Sequence, residues 1–417
     1  MVGNSSAERR NGKKPSGLNV VYGALYGALV LLFPRALISE EGHSHPAPEK
    51  LGTVVFPITC RQEVQKEFER AVALLHTFAY LPAEASFRAV AATDPNCTIA
   101  HWGIAMTYFQ PLWEPPIRAG GFNIAQQEIR HAQQFGTHSD RERGFIDALA
   151  LVYDQAAPYQ GRIVSYEAAM KKLADAYGTD VEAQVFYALA LLAAASPLDK
   201  THGRQKQALE ILEPLYRKYP QHPGVAHYLI HACDSGELAS RGVTAARVCS
   251  EIAPSAPHAL HMPSHIFTRL GMWSDSIVSN RAARIAAREQ GDISEELHAM
   301  DYLVYAYLQQ GLEREANEVV KPLAQLQHLD ERDFKAAYAS TAMPVRYAIE
   351  RAERSDWRGA VVPHRSPVKL TDSVNLNGSF AFPATTIGQS KSGFRRWKPR
   401  HGWRRQKVSR TTLGLCF

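Results

Sequence analysis

The sequence predicts an all-α fold, a stack of repeated helical hairpins, and three observations carry that prediction. Between Val54 and Ala360 nearly every apolar run has the period of an amphipathic helix. Those runs are mostly 11–18 residues long, rich in alanine, and end at Pro, Gly or Asp-Pro. A spacing of 34 residues recurs: Pro220, Pro223, His227 and His231 return as Pro254, Pro257, His261 and His265. A fixed period of that size marks a stacked repeat, in which each unit buries its apolar face only against its neighbours.

The elements follow in chain order. Helices are predicted over 62–79 and 83–93, closed by Asp94-Pro95, and then over 97–109. Trp113-Glu114-Pro115-Pro116 and Gly120-Gly121 interrupt the cadence before helices at 123–136, 139–155, 163–176, 181–195 and 203–218. Prolines at 220, 223, 254 and 257 punctuate helices at 223–233, 237–251 and 257–270. Pro263 falls inside the last of these, so it kinks that helix or marks its true start. Helices at 274–289, 294–310, 313–326 and 331–352 complete the array, and no run has the alternation of a strand.

Those hairpins resemble the tetratricopeptide repeat (TPR) family. Leu270-Gly271-Met272-Trp273 followed by Ser276-Ile277 places the Gly and the aromatic where that family turns between its helices. Ala83, Phe87 and Asp94-Pro95 match its second helix and closing proline, and the run from His298 to Gly311, then Ala316, gives another first helix and turn. The resemblance covers about 60–350 and is weakest over 111–200. It implies a right-handed α-solenoid whose groove takes a protein or peptide partner. The strings His-Tyr-Leu-Ile-His and Ala-Leu-His-Met-Pro-Ser-His-Ile-Phe also resemble a group of exported bacterial TPR proteins; that likeness implies a fold and no activity.

The chain has 417 residues, 45% apolar and 21% charged, a composition that excludes wholesale disorder, collagen and a coiled-coil rod. Its +6 net charge invites a nucleic-acid reading that the distribution removes. Residues 1–35 hold five Lys/Arg and one acid, and residues 361–417 hold eleven and one. The body between them has 31 bases against 39 acids, a net of about −8. No nucleic-acid partner is expected.

Both ends separate from the body. Arg9, Arg10, Lys13 and Lys14 precede an apolar run from Leu18 to Phe33, the pattern of an export signal or uncleaved anchor over 1–39. This predicts an exported chain, periplasmic or anchored facing outward, that meets a membrane only through that segment. A polar linker over 40–53 carries His43 and His45, which are read as solvated. After Ala360 periodicity stops, and an irregular basic tail fills 361–417. It reads as a basic arm for an acidic partner or, preferably, as no natural continuation, for instance translation in a shifted frame.

Histidine gathers on one face of the repeats. On a helix, positions i, i+3 or i+4, and i+7 share a stripe. The stripes are His227, His231 and Asp234; then His258, His261 and His265; then His298, Asp301 and Tyr305. Helices packed ~8–10 Å apart let imidazoles from neighbours meet one ion. Two i,i+4 pairs supply four nitrogen ligands, or three with a position left open. Asp234 and Asp301 serve as ligands, as acceptors that orient the imidazoles, or as a base. Nitrogen and oxygen ligands suit Zn, Cu, Ni or Fe. The competing reading is that repeat copying multiplied a structural His-x3-His, but copying leaves Asp234, His258 and His298 unexplained.

Smaller signals complete the inventory. His76 and His101-Trp102 lie on earlier first helices, where core packing outweighs ligation; Trp102 still joins Tyr305 and Trp113 as a candidate groove residue. Trp113 with Pro115-Pro116 reads as a loop over the groove mouth. Cys60 and Cys97 stand 37 residues apart near the starts of successive first helices, which makes a disulfide plausible. Cys233 and Cys249 sit too far apart along a hairpin to pair and read as buried thiols. No phosphate loop, nucleophile elbow, haem motif or H-E-x-x-H occurs, so no nucleotide or haem is expected. Three functions stand: a metal- or ligand-binding repeat protein first, then a plain interaction scaffold, then a metal-dependent hydrolase or oxidoreductase on the same cluster.

Overall fold

The computed structural model describes residues 49–112, 119–137, 139–326 and 334–350. The expected export segment, His43 and His45, Trp113 with its prolines, and the basic tail lie outside the described residues. Among the described residues all regular structure is helical, and no helix is long and apolar enough to cross a membrane.

The helices run as successive hairpins. α1 (Gln65–His76) pairs with α2 (Tyr80–Thr93), α3 (Thr98–Tyr108) with α4 (Ala119–Phe135), and α5 (Asp140–Val152) with α6 (Tyr159–Ala176). α7 (Val181–Ala194) pairs with α8 (Gly203–Lys218) and α9 (Pro223–Cys233) with α10 (Ala239–Ile252). The next first helix comes in two pieces, α11 (Pro257–His261) and α12 (Pro263–Leu270), packed on α13 (Trp273–Gln290). α14 (Ile293–Gln309) and α15 (Glu313–Val320) follow, and α16 (Phe334–Glu350) packs on α14. This is the all-helical repeat layout that the period predicted.

Local chemistry explains the boundaries. Side chains of Ser139, Asp180 and Asp292 cap the starts of α5, α7 and α14 by accepting from backbone N–H groups, worth about 1 kcal/mol each. Pro223, Pro257 and Pro263 each sit in a first turn, where a missing N–H costs nothing. Gly271 (φ 72°) and Gly311 (φ 74°) take the left-handed backbone that closes a helix, at the turns read from the repeat. Pro263 divides its helix without unwinding it: Met262 stays right-handed helical, and its N–H still reaches the His258 carbonyl at 2.9 Å. The i,i+4 relation of His261 and His265 therefore survives the break.

The core is aromatic early in the array. Phe56, Phe68, Phe87, Trp102, Phe145 and Phe186 interlock with ring centroids 5.1–5.8 Å apart. Each such side chain contributes about 1.5–3 kcal/mol through burial. Trp102, expected as a groove residue, is 1% exposed in the middle of this cluster and lines no groove. Its helix face points into the stack, where a large ring is worth most. The disulfide Cys60–Cys97 ties the segment before α1 to the start of α3, and Cys233 and Cys249 are buried free thiols.

The array also meets its own beginning. Thr53 N donates to the Gln221 carbonyl (2.8 Å) and Lys50 N to Ser255 Oγ (2.9 Å), so residues expected as linker dock beside the fifth and sixth hairpins. Leu51 is buried with them. The end of α1 packs on α9, where a Cβ on Gly224 would stand 2.5 Å from His76 Nδ1. Only glycine allows that approach.

Candidate metal centre

Six histidines from four helices come together: His227 and His231 on α9, His258 and His261 on α11, His265 on α12, and His298 on α14. Five are buried and His231 is partly exposed. Burial holds His227, His231, His261 and His298 well below the usual imidazole range, so these rings are neutral at pH 7. Burial also lowers His258, although Glu295 opposes the shift. Neutral imidazole is the ligating form.

The cluster divides differently from the expectation. Rather than four rings from two pairs sharing one spot, each i,i+4 pair recruits a third ring from the following first helix. One trio is His227, His231 and His258; the other is His261, His265 and His298. Within each, one nitrogen from every ring lies within 4.8 Å of the other two. The Nε2 atoms of His227 and His231 are 3.1 Å apart, and those of His261 and His265 are 3.0 Å apart. Two nitrogens on one tetrahedral ion at ~2.0–2.1 Å would stand ~3.3 Å apart. The spacing fits a shared ion.

The outer partners decide which nitrogen points inward. His227 Nδ1 donates to the His76 carbonyl (2.6 Å) and His265 Nδ1 to Asp234 Oδ2 (2.8 Å). His258 Nδ1 donates to Glu295 Oε2 (3.2 Å). His261 Nδ1 donates to Asn280 Oδ1 (2.6 Å), and that amide cannot be turned round because its Nδ2 donates to the Ser276 carbonyl (2.8 Å). Four rings thus give their proton to an outward acceptor and keep an Nε2 lone pair for the interior. Metal-ligating histidines have this outer arrangement.

Charge around the cluster is balanced close by. Burial alone would raise the Asp234 carboxyl, but His265 and Arg269 hold it down at about 2. Arg269 Nε donates to Asp234 Oδ1 at 2.7 Å. Glu295 is likewise held well below its ordinary value, against the effect of burial, by Lys335 and His258. Asp301, expected as ligand or base, turns away from the imidazoles. Arg346 holds it through two bonds of 3.1 Å, because a buried carboxylate needs a cation and α16 supplies one. Tyr305 packs on Trp273 and beneath Arg346 rather than facing the rings.

Two aromatic residues wall the cluster. Phe78 lies against His227, His231 and His258, with centroids 4.4, 5.6 and 5.5 Å away. It holds φ 57°, a conformation costly for a bulky side chain. Tyr302 stands edge-on to His261 (4.6 Å) and near His265 (5.1 Å) on the other side.

A separate buried group explains how α9 is aimed. Glu182 accepts from His76 Nε2 and His222 Nε2, both at 2.8 Å, while His76 Nδ1 meets Tyr228 Oη at 3.0 Å. His222 Nδ1 caps α9 by accepting from Val225 N (3.2 Å). Its nitrogens are occupied by protein partners, so this group is a structural brace. It fixes the His76 carbonyl that orients His227.

Sequence reasoning missed Asn280, Glu295 and the His76 carbonyl as orienting groups. Asn280 had a weak signal, being a polar residue on the buried stripe of α13 with Ser276, Ala283 and Ala287. Glu295 looks like an ordinary first-turn acid three residues after the Asp292 cap.

No protein-family profile matches the sequence, and no curated protein matches it. Among solved structures, the TPR domain of P58(IPK), determined at 2.5 Å, aligns with 70% of this chain and 99% of that one. The identity is 13% and the TM-score 0.19, too low to carry any argument about this chain.

Proposed function

We propose that this helical-repeat protein binds a transition metal through its histidine cluster. The observation that carries the reading is the pair His261 and His265. Both Nδ1 atoms donate to groups that can only accept, so two Nε2 lone pairs face each other at 3.0 Å. That contact needs a cation between them, either a metal ion or a second proton on one ring, and burial disfavours the proton on His261. The His227–His231 pair is less telling, since a proton on His231 Nε2 would make it an ordinary hydrogen bond.

An interaction scaffold with histidine as groove lining calls for rings that are spread and solvated. Five buried rings, four of them with their protons directed outward, speak for ligation. All-imidazole donors suit Zn, Cu, Ni or Fe and give no reason to choose among them. Three ligands per ion leave a coordination position open, the arrangement of catalytic rather than closed structural sites. That is the observation favouring metal chemistry as a second reading. Neither Asp234 nor Asp301 is available as its base, because Arg269 and Arg346 hold them.

Elemental analysis of the chain purified without a histidine tag tests the proposal. Near-stoichiometric metal that is lost in the His231→Ala/His265→Ala double variant supports it. Protein that stays metal-free after loading with Zn or Cu refutes it.

A further inference from the structure

The two trios are each complete, which bears on how many ions the cluster takes. An i,i+4 pair on one first helix plus one ring from the next appears twice in succession. The orienting partners divide the same way: the His76 carbonyl and Glu295 serve the first trio, Asn280 and Asp234 the second. Paired Nε2 atoms stand 3.0–3.1 Å apart inside each trio. The rings also touch across the divide, with His231–His265 and His258–His261 centroids both 5.8 Å apart. Six imidazoles are more than one tetrahedral ion can use.

Charge then specifies what else must be present. Neutral imidazoles cancel none of the charge of a dication, and an uncompensated buried charge is costly. Among the described residues, Asp234 and Glu295 are the carboxylates in contact with the rings, and each already neutralises a cation, Arg269 or Lys335. A pair of ions here needs an anion of its own, and each trio leaves a position for it.

We propose that the cluster holds two divalent ions, one per histidine trio, with a small anionic oxygen ligand shared between them. This rests on the metal-binding reading and extends it to a two-ion centre of the kind that polarises a bridging oxygen. The shared oxygen is a hydroxide left when bound water loses its proton to solvent, or a small oxyanion. Its chemistry at the two ions is the same.

Titration of tag-free, metal-free protein with Co(II), followed through its visible bands and by elemental analysis after desalting, tests the stoichiometry. A break at two equivalents per chain is expected. His258→Ala and His298→Ala should each retain one equivalent, with circular dichroism confirming that they fold. A wild-type break at one equivalent overturns the two-ion proposal while leaving metal binding intact, whether or not the variants fold. No uptake overturns metal binding itself.

Loading with two equivalents of Cu(II) tests the shared ligand. An electron paramagnetic resonance signal far below two spins in oxyanion-free buffer supports a bridging hydroxide. Loss of signal only on adding inorganic phosphate supports a bridging oxyanion. Two full spins under both conditions overturn the bridge.

Discussion

His261 and His265 point their Nε2 atoms at each other across 3.0 Å while Asn280 and Asp234 draw their Nδ1 protons the opposite way. Two acceptors left face to face describe a cation site more directly than the number of histidines does.

Asn280 should matter to metal affinity without touching metal. Asn280→Ala removes the acceptor for His261 Nδ1 and the donor to the Ser276 carbonyl, both buried. We expect metal affinity to fall about 10–100-fold, as when other outer partners of ligating histidines are lost. Stability of the metal-free chain should drop by about 1–3 kcal/mol. Competition against a chromophoric chelator and urea unfolding measure the two effects, and unchanged affinity would detach Asn280 from the site.

Asp301 should behave in the opposite way. Its carboxylate is bound by Arg346, so Asp301→Asn is expected to leave metal content unchanged. Arg346→Met strands a buried carboxylate and should cost about 3–5 kcal/mol, again with metal content intact in the folded fraction. Loss of metal in Asp301→Asn at unchanged thermal stability would restore it as a ligand.

Acid should unfold the metal-free protein early. Burial lowers His76, His227, His231, His258, His261 and His298 below their ordinary value of 6.5. The unfolded chain therefore binds more protons than the folded one below about pH 6.5, and stability falls as pH falls. Each such ring contributes up to about 1.4 kcal/mol per pH unit until its folded pKa is reached. Melting temperature in chelator should thus drop steeply from pH 7 to 5, whereas a flat profile would mean the rings are solvated. Metal should raise the melting point at pH 7 and lose its effect on acidification, as protons displace it.

Much of the fold was legible because helix periodicity and breakers are local. Predicted helices at 203–218 and 223–233 coincide with α8 and α9, most others shift by a few residues, 257–270 divides at Pro263, and 313–326 gives way to a 3-10 turn after Val320. The i,i+4 pairs were legible for the same reason, since spacing along one helix sets who shares a face. Partners across helices were not. Nothing in the chain order says that His258 joins the pair before it while His261, three residues on, joins His298. Asp301 lies in the right stripe, yet Arg346 on α16 claims it. Phe78 and the His76 carbonyl reach the site only because α1 returns to α9.

By itself the amino-acid order determined helices, hairpins, a 34-residue step and histidines spaced one turn apart, all consequences of backbone geometry over a few residues. Tertiary structure alone decided how six imidazoles divide into two trios, which carboxylates neutralise arginine or lysine, and which ring nitrogens turn inward. Those outcomes depend on the packing of helices far apart in the chain, and on where burial leaves a polar atom needing a partner.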